Sequence, residues 1–103
     1  MIYAREIITN ELMDKYIARC LAYGERATLK GFCRWCGFAK TPVGKHFTEN
    51  AGVAPGTYIS RFRSDFIRNN RHLSAIDLSI QLGISTTQVF ARAKDLGIRL
   101  GGK

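Results

Sequence analysis

Apolar residues recur at helical spacing along most of the chain. Leu12, Met13, Tyr16, Ile17, Cys20 and Leu21 stack on one face of Asn10 to Tyr23 and predict an amphipathic helix. Thr9 or Asn10 can cap its start, and Gly24 fits the left-handed position after its end. Leu29, Phe32, Cys33 and Cys36 predict a second, shorter helix over Thr28 to Cys36, ended by Gly37. Thr41-Pro42 opens a third, with Thr41 as N-cap and Pro42 at the first helical position, running to about Asn50 with Gly52 past its end. Pro55-Gly56 reads as a turn, and Tyr58, Ile59, Phe62, Phe66 and Ile67 predict a fourth helix from Thr57 to Asn70. Ser74, with Asp77 three residues on, resembles a capping box at the start of a fifth, Ala75 to Leu82, stopped by Gly83. A sixth runs from about Thr86 to Leu96 and ends at Gly97. No alternating run of β-branched residues is flanked by hairpin signals, so the predicted fold class is all-α with about six helices.

The second and third helices repeat as the fifth and sixth at a spacing of 46 residues. Thr28 falls on Ser74, Phe32 on Leu78, Cys36 on Leu82, Gly37 on Gly83, Phe38 on Ile84, Thr41 on Thr87 and Val43 on Val89. Each copy closes on a glycine and a branched apolar residue, Gly52-Val53 and Gly97-Ile98, after a one-residue slip. Caps, glycine and apolar positions match, whereas exposed positions differ. That is the requirement of a helix-turn-helix. It needs a small residue where the helices touch (Cys33, Ser79), a glycine at the tight turn, and apolar residues on both sides to fix the angle. The start and outer face of each second helix are then left free to enter a DNA major groove.

Charge gives this pattern a direction. The 103 residues carry 16 Lys+Arg against 8 Asp+Glu, a net of +8, and the excess is concentrated. Residues 1–25 have a net of −1, residues 26–72 a net of +7 and residues 73–103 a net of +2. A basic middle segment points to an anionic partner, with double-stranded DNA first. The expected base-reading positions are Lys40, Thr41, Gly44, Lys45 and Thr48 in the first copy, and Ser85, Thr86, Thr87, Gln88, Phe90, Ala91 and Lys94 in the second. Gln88 suits adenine, Phe90 suits a thymine methyl, and Gly44 removes bulk where backbone would approach DNA. Lys30, Arg34, Arg61, Arg63, Arg68 and Arg71 are the expected phosphate contacts, which position a protein without reading sequence.

The run His46-Phe47-Thr48-Glu49-Asn50-Ala51-Gly52-Val53-Ala54-Pro55-Gly56-Thr57-Tyr58-Ile59-Ser60-Arg61-Phe62-Arg63 resembles the DNA-binding domain of the AraC/XylS family in its short form without a sensor domain. The family shows a Phe, four residues, Gly, two residues, Pro, then a Tyr and an Arg-x-Arg helix there. Leu82-Gly83-Ile84-Ser85 followed by Phe90-Ala91-Arg92-Ala93-Lys94 resembles its second unit. The likeness covers about residues 10 to 98. The second unit departs from the family in reaching Gly97 about two residues early and in ending Gly101-Gly102-Lys103 without the closing Pro and Tyr. The resemblance implies a transcription regulator with two recognition helices in successive major grooves of one duplex, and RNA polymerase as a second partner.

The expected organisation is an N-terminal helix packing on the first unit (1–26), a first helix-turn-helix (27–54), a basic linker helix (55–72), a second helix-turn-helix (73–98) and a flexible tail (99–103). Monomer and homodimer both fit. The rival function is a small basic helical protein that docks on RNA polymerase or another protein and regulates it without reading DNA.

Other chemistry finds less support. Cys33-Arg34-Trp35-Cys36 is a CxxC to which Cys20 and His46 could be added as zinc ligands, but the outer spacing fits no zinc motif, and small-core packing accounts for all three cysteines. A redox CxxC would expect a βαβ surround. His46 and His72 show no carboxylate or serine partner and there is no phosphate-binding glycine loop, so no enzyme and no cofactor are expected. The chain has no apolar run of about 18 residues and no signal-peptide pattern at its start, so no membrane association and a cytoplasmic location are expected. Trp35 falls mid-helix, where core edge, interface and exposed contact all remain open.

Overall fold

Side-chain caps and glycines set most helix boundaries. The structure, a computed structural model, describes residues 4–101 and is all-helical over them: α1 Ala4–Ile7, α2 Asn10–Tyr23, α3 Leu29–Cys36, α4 Lys40–Ala51, α5 Pro55–Asn69, α6 Ala75–Leu82 and α7 Thr86–Leu96. Thr9 caps α2, its Oγ1 accepting from the Leu12 amide at 3.2 Å. Thr28 caps α3 by accepting from the Gly31 amide at 2.9 Å, and Ser74 caps α6 by accepting from the Asp77 amide at 3.1 Å. At α7 the box is reciprocal: Ser85 Oγ accepts from the Gln88 amide, and Gln88 Oε1 accepts from the Ser85 amide. Such caps are worth about 1 kcal/mol each.

Three boundaries differ from the sequence expectation. α4 starts at Lys40 with Ala39 as N-cap and no side-chain cap bond, so Thr41 is not the cap and Pro42 is third in the helix. Proline is tolerated there because first-turn amides have no intrahelical acceptor. Burial of Val43 and Phe47 fixes this start, and burying two large side chains outweighs one cap. Pro55-Gly56 is not a turn but the opening of α5, with the Ala54 carbonyl accepting from the Tyr58 amide at 3.0 Å. α1 was not expected at all. It packs on α4, where Asn50 Nδ2 donates to the Arg5 carbonyl at 2.6 Å and the Ile8 carbonyl at 2.8 Å.

The chain divides into two units. One runs to Arg19 and resumes over Ala27–Ile59; the other holds Cys20–Arg26 and everything from Ser60 onward, so α2 and α5 each begin in the first and finish in the second.

The first unit buries Ile8, Met13, Tyr16, Ile17, Phe32, Val43 and Phe47. Its aromatic rings form a chain: Tyr16 to Phe32 at 5.6 Å, Phe32 to Phe47 at 6.3 Å, and Phe47 edge-on to Tyr58 at 5.4 Å. Edge-on pairs of this kind add about 1 kcal/mol beyond burial. Trp35 joins at its margin, 5.7 Å from Tyr16 and 6.3 Å from Phe32, with part of its ring exposed. Tyr16 also accepts from the Thr28 amide through its hydroxyl, 3.3 Å away, directly over Gly31.

The second unit is built on Ile67, Ala75, Leu78, Leu82, Ile84, Val89 and Ala93, with Leu21, Phe62, Phe66, Leu73, Leu96, Ile98 and Leu100 around them. The expected flexible tail is anchored at its start. Leu100 packs on this core and the Gly101 amide donates to the Arg71 carbonyl at 2.6 Å. Gly102 and Lys103 lie outside the described residues. No helix among the described residues is long and apolar enough to cross a membrane.

Candidate nucleic-acid interface

The two helix-glycine-helix segments coincide at the spacing of 46 residues. α3 falls on α6 end for end, α4 and α7 start at equivalent residues, and α7 closes one residue sooner. In each, a glycine in the left-handed region, Gly37 at φ 82° and Gly83 at φ 65°, turns the chain after the first helix. Val43 and Phe47 on α4, and Val89 and Ala93 on α7, bury the inner face of the second helix. The i, i+4 spacing that buries those residues leaves the opposite stripe outward.

In the first unit that stripe is Lys40, Thr41, Lys45 and Thr48, all exposed, with Gly44 half-buried between them. A Cβ added at Gly44 would meet nothing, so the helix there presents bare backbone. The Thr48 hydroxyl donates to the Gly44 carbonyl at 2.6 Å, which leaves it only accepting capacity toward anything outside. Lys30 and Arg34 are exposed on α3, adding two cations to the two of α4. Asp and Glu are absent from both helices except for Glu49. His46 Nδ1 lies 3.8 Å from Glu49 Oε2, one helical turn on, which is too far for a hydrogen bond.

In the second unit Ser85, Thr87, Gln88, Ala91 and Lys94 are exposed, Thr86 is half-buried, and Phe90 stands 60% exposed on the outer face of α7. Ser85 and Gln88 are occupied by their mutual cap, so Gln88 has its amide NH2 free but its carbonyl engaged. Bidentate recognition of adenine would require that cap to open.

The α5 arginines do not share one fate. Arg61, Arg68 and Arg71 are exposed, and Arg68 Nη1 meets Asp65 Oδ1 at 2.8 Å. Arg63 is only 9% exposed and is therefore not a surface phosphate contact of the kind expected. Its position explains this: Ile59, Arg63 and Ile67 fall at i, i+4, i+8 on the inward face of α5.

Arg92 was not singled out from the sequence, yet it orients α7. Its Nη1 donates to the Ser60 carbonyl at 3.3 Å, to Ser60 Oγ at 3.2 Å and to Ser64 Oγ at 3.3 Å, tying α7 to α5 within the second unit. Its only advance signal is the pair of serines one turn apart on α5.

Among the described residues, no three His, Cys, Asp or Glu side chains gather as metal ligands would. Cys33 and Cys36 are half-buried free thiols, and Cys36 Sγ donates weakly to the Cys33 carbonyl at 3.7 Å. Burial, helped by the neighbouring Cys36, pushes the Cys33 thiol up despite Lys40, which makes it a poor nucleophile.

No protein-family model, curated protein or solved structure matches the chain.

Proposed function

We propose that this chain is a sequence-specific, double-stranded DNA-binding regulator of transcription that reads DNA with α4 and α7. One observation carries the reading. The helix-glycine-helix segment occurs twice in register, each time with the inner stripe of its second helix buried and the outer stripe open, in a chain of net charge +8. A single segment would be commonplace among helical proteins. Its repetition with the first-helix cap (Thr28, Ser74) and the turn glycine kept and the outer residues changed is what two separate base-reading surfaces require. The resemblance to short AraC/XylS proteins supports the same reading.

Roles follow from chemistry. Lys30, Arg34, Arg61, Arg68 and Arg71 supply phosphate contacts and the salt-dependent part of affinity. Lys40, Thr41, Lys45 and Thr48 face bases or backbone from α4. Thr87, Phe90, Ala91 and Lys94 do so from α7, where the exposed Phe90 ring offers an apolar contact to a thymine methyl.

The test is fluorescence anisotropy against a randomised duplex pool at low and near-physiological salt, with bound DNA sequenced. One enriched motif is the expected result. Changing Lys45 or Lys94 to Ala should weaken binding and flatten the log–log salt slope by about one for each phosphate no longer neutralised. Salt-sensitive binding without enrichment would reduce the protein to a general DNA coater. Absence of binding at low salt, with Lys45 and Lys94 variants indifferent, would leave docking on RNA polymerase or another protein as the reading.

A further inference from the structure

At the spacing of 46 residues the outward stripes of α4 and α7 pair position by position: Thr41 with Thr87, Gly44 with Phe90, Lys45 with Ala91 and Thr48 with Lys94. Each set falls at i, i+3, i+4 and i+7, on the face opposite the buried Val43 and Phe47 or Val89 and Ala93. The two central positions differ most. α4 offers bare backbone at Gly44 and an ammonium at Lys45, whereas α7 offers the 60% exposed ring of Phe90 and the methyl of Ala91. Of the large apolar side chains exposed among the described residues, Phe90 alone stands on either second helix. It is not among the side chains that build the core of its unit.

Hydrogen-bonding capacity divides the same way. Lys40 and Lys45 carry exposed ammonium donors on α4, which suit the O6 and N7 acceptors of guanine. On α7 the amide best suited to a base edge, Gln88, has its carbonyl engaged by the Ser85 amide, and Phe90 and Ala91 have no polar side-chain atom. Charge follows. The exposed charges of α3 and α4 are Lys30, Arg34, Lys40, Lys45 and Glu49, a net of +3. Those of α6 and α7 are Asp77, Lys94 and Asp95, a net of −1. The second helix-glycine-helix segment therefore has little with which to hold phosphate, and the centre of its outward stripe is apolar.

We infer that α7 recognises the C5-methyl group of thymine and that Phe90 is the residue that sets this preference. The inference rests on the DNA-reading role proposed above and assigns the chemistry of one half of the site. The C5-methyl is the apolar group that a base pair displays in the major groove, so it is the feature an apolar ring can read. Uracil presents the same hydrogen-bonding edge without it. Moving one methyl out of water against the ring is worth about fourfold in affinity. Gly44, at the equivalent place on α4, has no side chain with which to make such a contact.

The test is the affinity of the full chain for the duplex enriched from the randomised pool, made in a thymine and a uracil version that differ only in those methyl groups. Uracil should weaken wild-type binding about fourfold or more, and Phe90→Ala should bring the difference below about twofold. Phe90→Leu, apolar but smaller, should keep part of the preference. Lys45→Ala should bind both versions more weakly while keeping the wild-type ratio between them. Both Phe90 variants should retain the wild-type circular dichroism and thermal midpoint, because the ring lies outside the core. Equal wild-type affinity for the two versions, a ratio that survives Phe90→Ala, a ratio that disappears with Lys45→Ala, or an enriched duplex without thymine would each overturn the inference and leave DNA binding standing. Failure to bind any duplex would overturn both.

Discussion

Gly83 lies against the backbone of Arg26, so that a Cβ at Gly83 would sit 2.5 Å from the Arg26 amide nitrogen. The Glu25 carbonyl carbon and the Gly24 carbonyl oxygen close in at 2.6 Å and 2.8 Å. Its counterpart Gly37 has the same left-handed backbone but nothing within reach of an added Cβ. Gly37→Ala should therefore cost only the backbone strain, about 1 kcal/mol, whereas Gly83→Ala adds a backbone collision and should cost about 3 kcal/mol or more. Urea denaturation of the two variants side by side measures the difference. Equal losses would mean that the approach of the Gly24–Arg26 segment carries no energetic weight.

Gly44 should show opposite signs in two assays. Glycine within a helix costs about 0.5–1 kcal/mol relative to alanine, and a Cβ there meets nothing, so Gly44→Ala should stabilise the free protein by that amount. If α4 brings its backbone against DNA, the same change should weaken DNA binding by about tenfold. Thermal denaturation and anisotropy together check both halves. A more stable variant with unchanged DNA affinity would remove α4 from close contact.

Tyr58 should make folding sensitive to alkali. Burial, and the 2.5 Å hydrogen bond it donates to Asp14 Oδ1 beside that carboxylate's charge, push its hydroxyl up to about 12 from an ordinary 10. A folded-state value above the unfolded one favours the neutral phenol. The stabilisation is therefore complete below pH 10 and is lost as pH rises from about 10 through about 12. Stability measured across that window should fall less steeply for Tyr58→Phe than for wild type. Parallel curves would show that the Asp14 contact does not persist in solution.

Arg92→Ala should loosen α7 without touching its outward stripe. The Nη1 hydrogen bonds to Ser60 and Ser64 are removed, at a cost of about 1–2 kcal/mol, and because all of them leave one nitrogen, Arg92→Lys should recover the part that its shorter side chain can still reach. Chemical denaturation gives the stability. Sequence discrimination on DNA, compared with overall affinity, reports whether the orientation of α7 matters for reading.

Where a single residue's chemistry fixes the backbone, the sequence was sufficient. Thr28, Ser74, Gly37, Gly83 and Gly97 mark their helix ends in the structure as their hydrogen-bonding groups and conformational range dictate, whereas Ser85, expected as a base contact, is the N-cap of α7. The bounds of α6 follow from Ser74 and Gly83 and the end of α7 from Gly97, whereas the repeat would carry the expected cap at Thr41 onto Thr87, inside α7. Boundaries that depend on packing were not legible. α4 starts two residues before Pro42 because Val43 and Phe47 must face inward, and no local cap announces Lys40. α1 has four residues, too few for a helical period to repeat, and owes its place to Asn50 far along the chain. For the candidate interface, the outer stripes of α4 and α7 were readable from periodicity. The spacing from Ile59 to Ile67 already puts Arg63 on the inward face of α5 and Arg61 off it, but its charge was given more weight than its place in that period. Nor did periodicity flag Arg92, whose task depends on serines in another helix.

The reciprocal cap between Ser85 and Gln88 bears on how this protein can be re-targeted. A library that randomises the outer face of α7 to obtain a new binding specificity would treat position 88 as one more free letter. It is not free, because only glutamine or glutamate can return the hydrogen bond to the Ser85 amide, and most replacements would fray the first turn of the very helix being redesigned. Selection would then discard clones for instability that had been made for recognition. Diversity placed at Thr87, Phe90, Ala91 and Lys94, with Gln88 held, separates those two pressures and leaves the helix intact while its vocabulary changes.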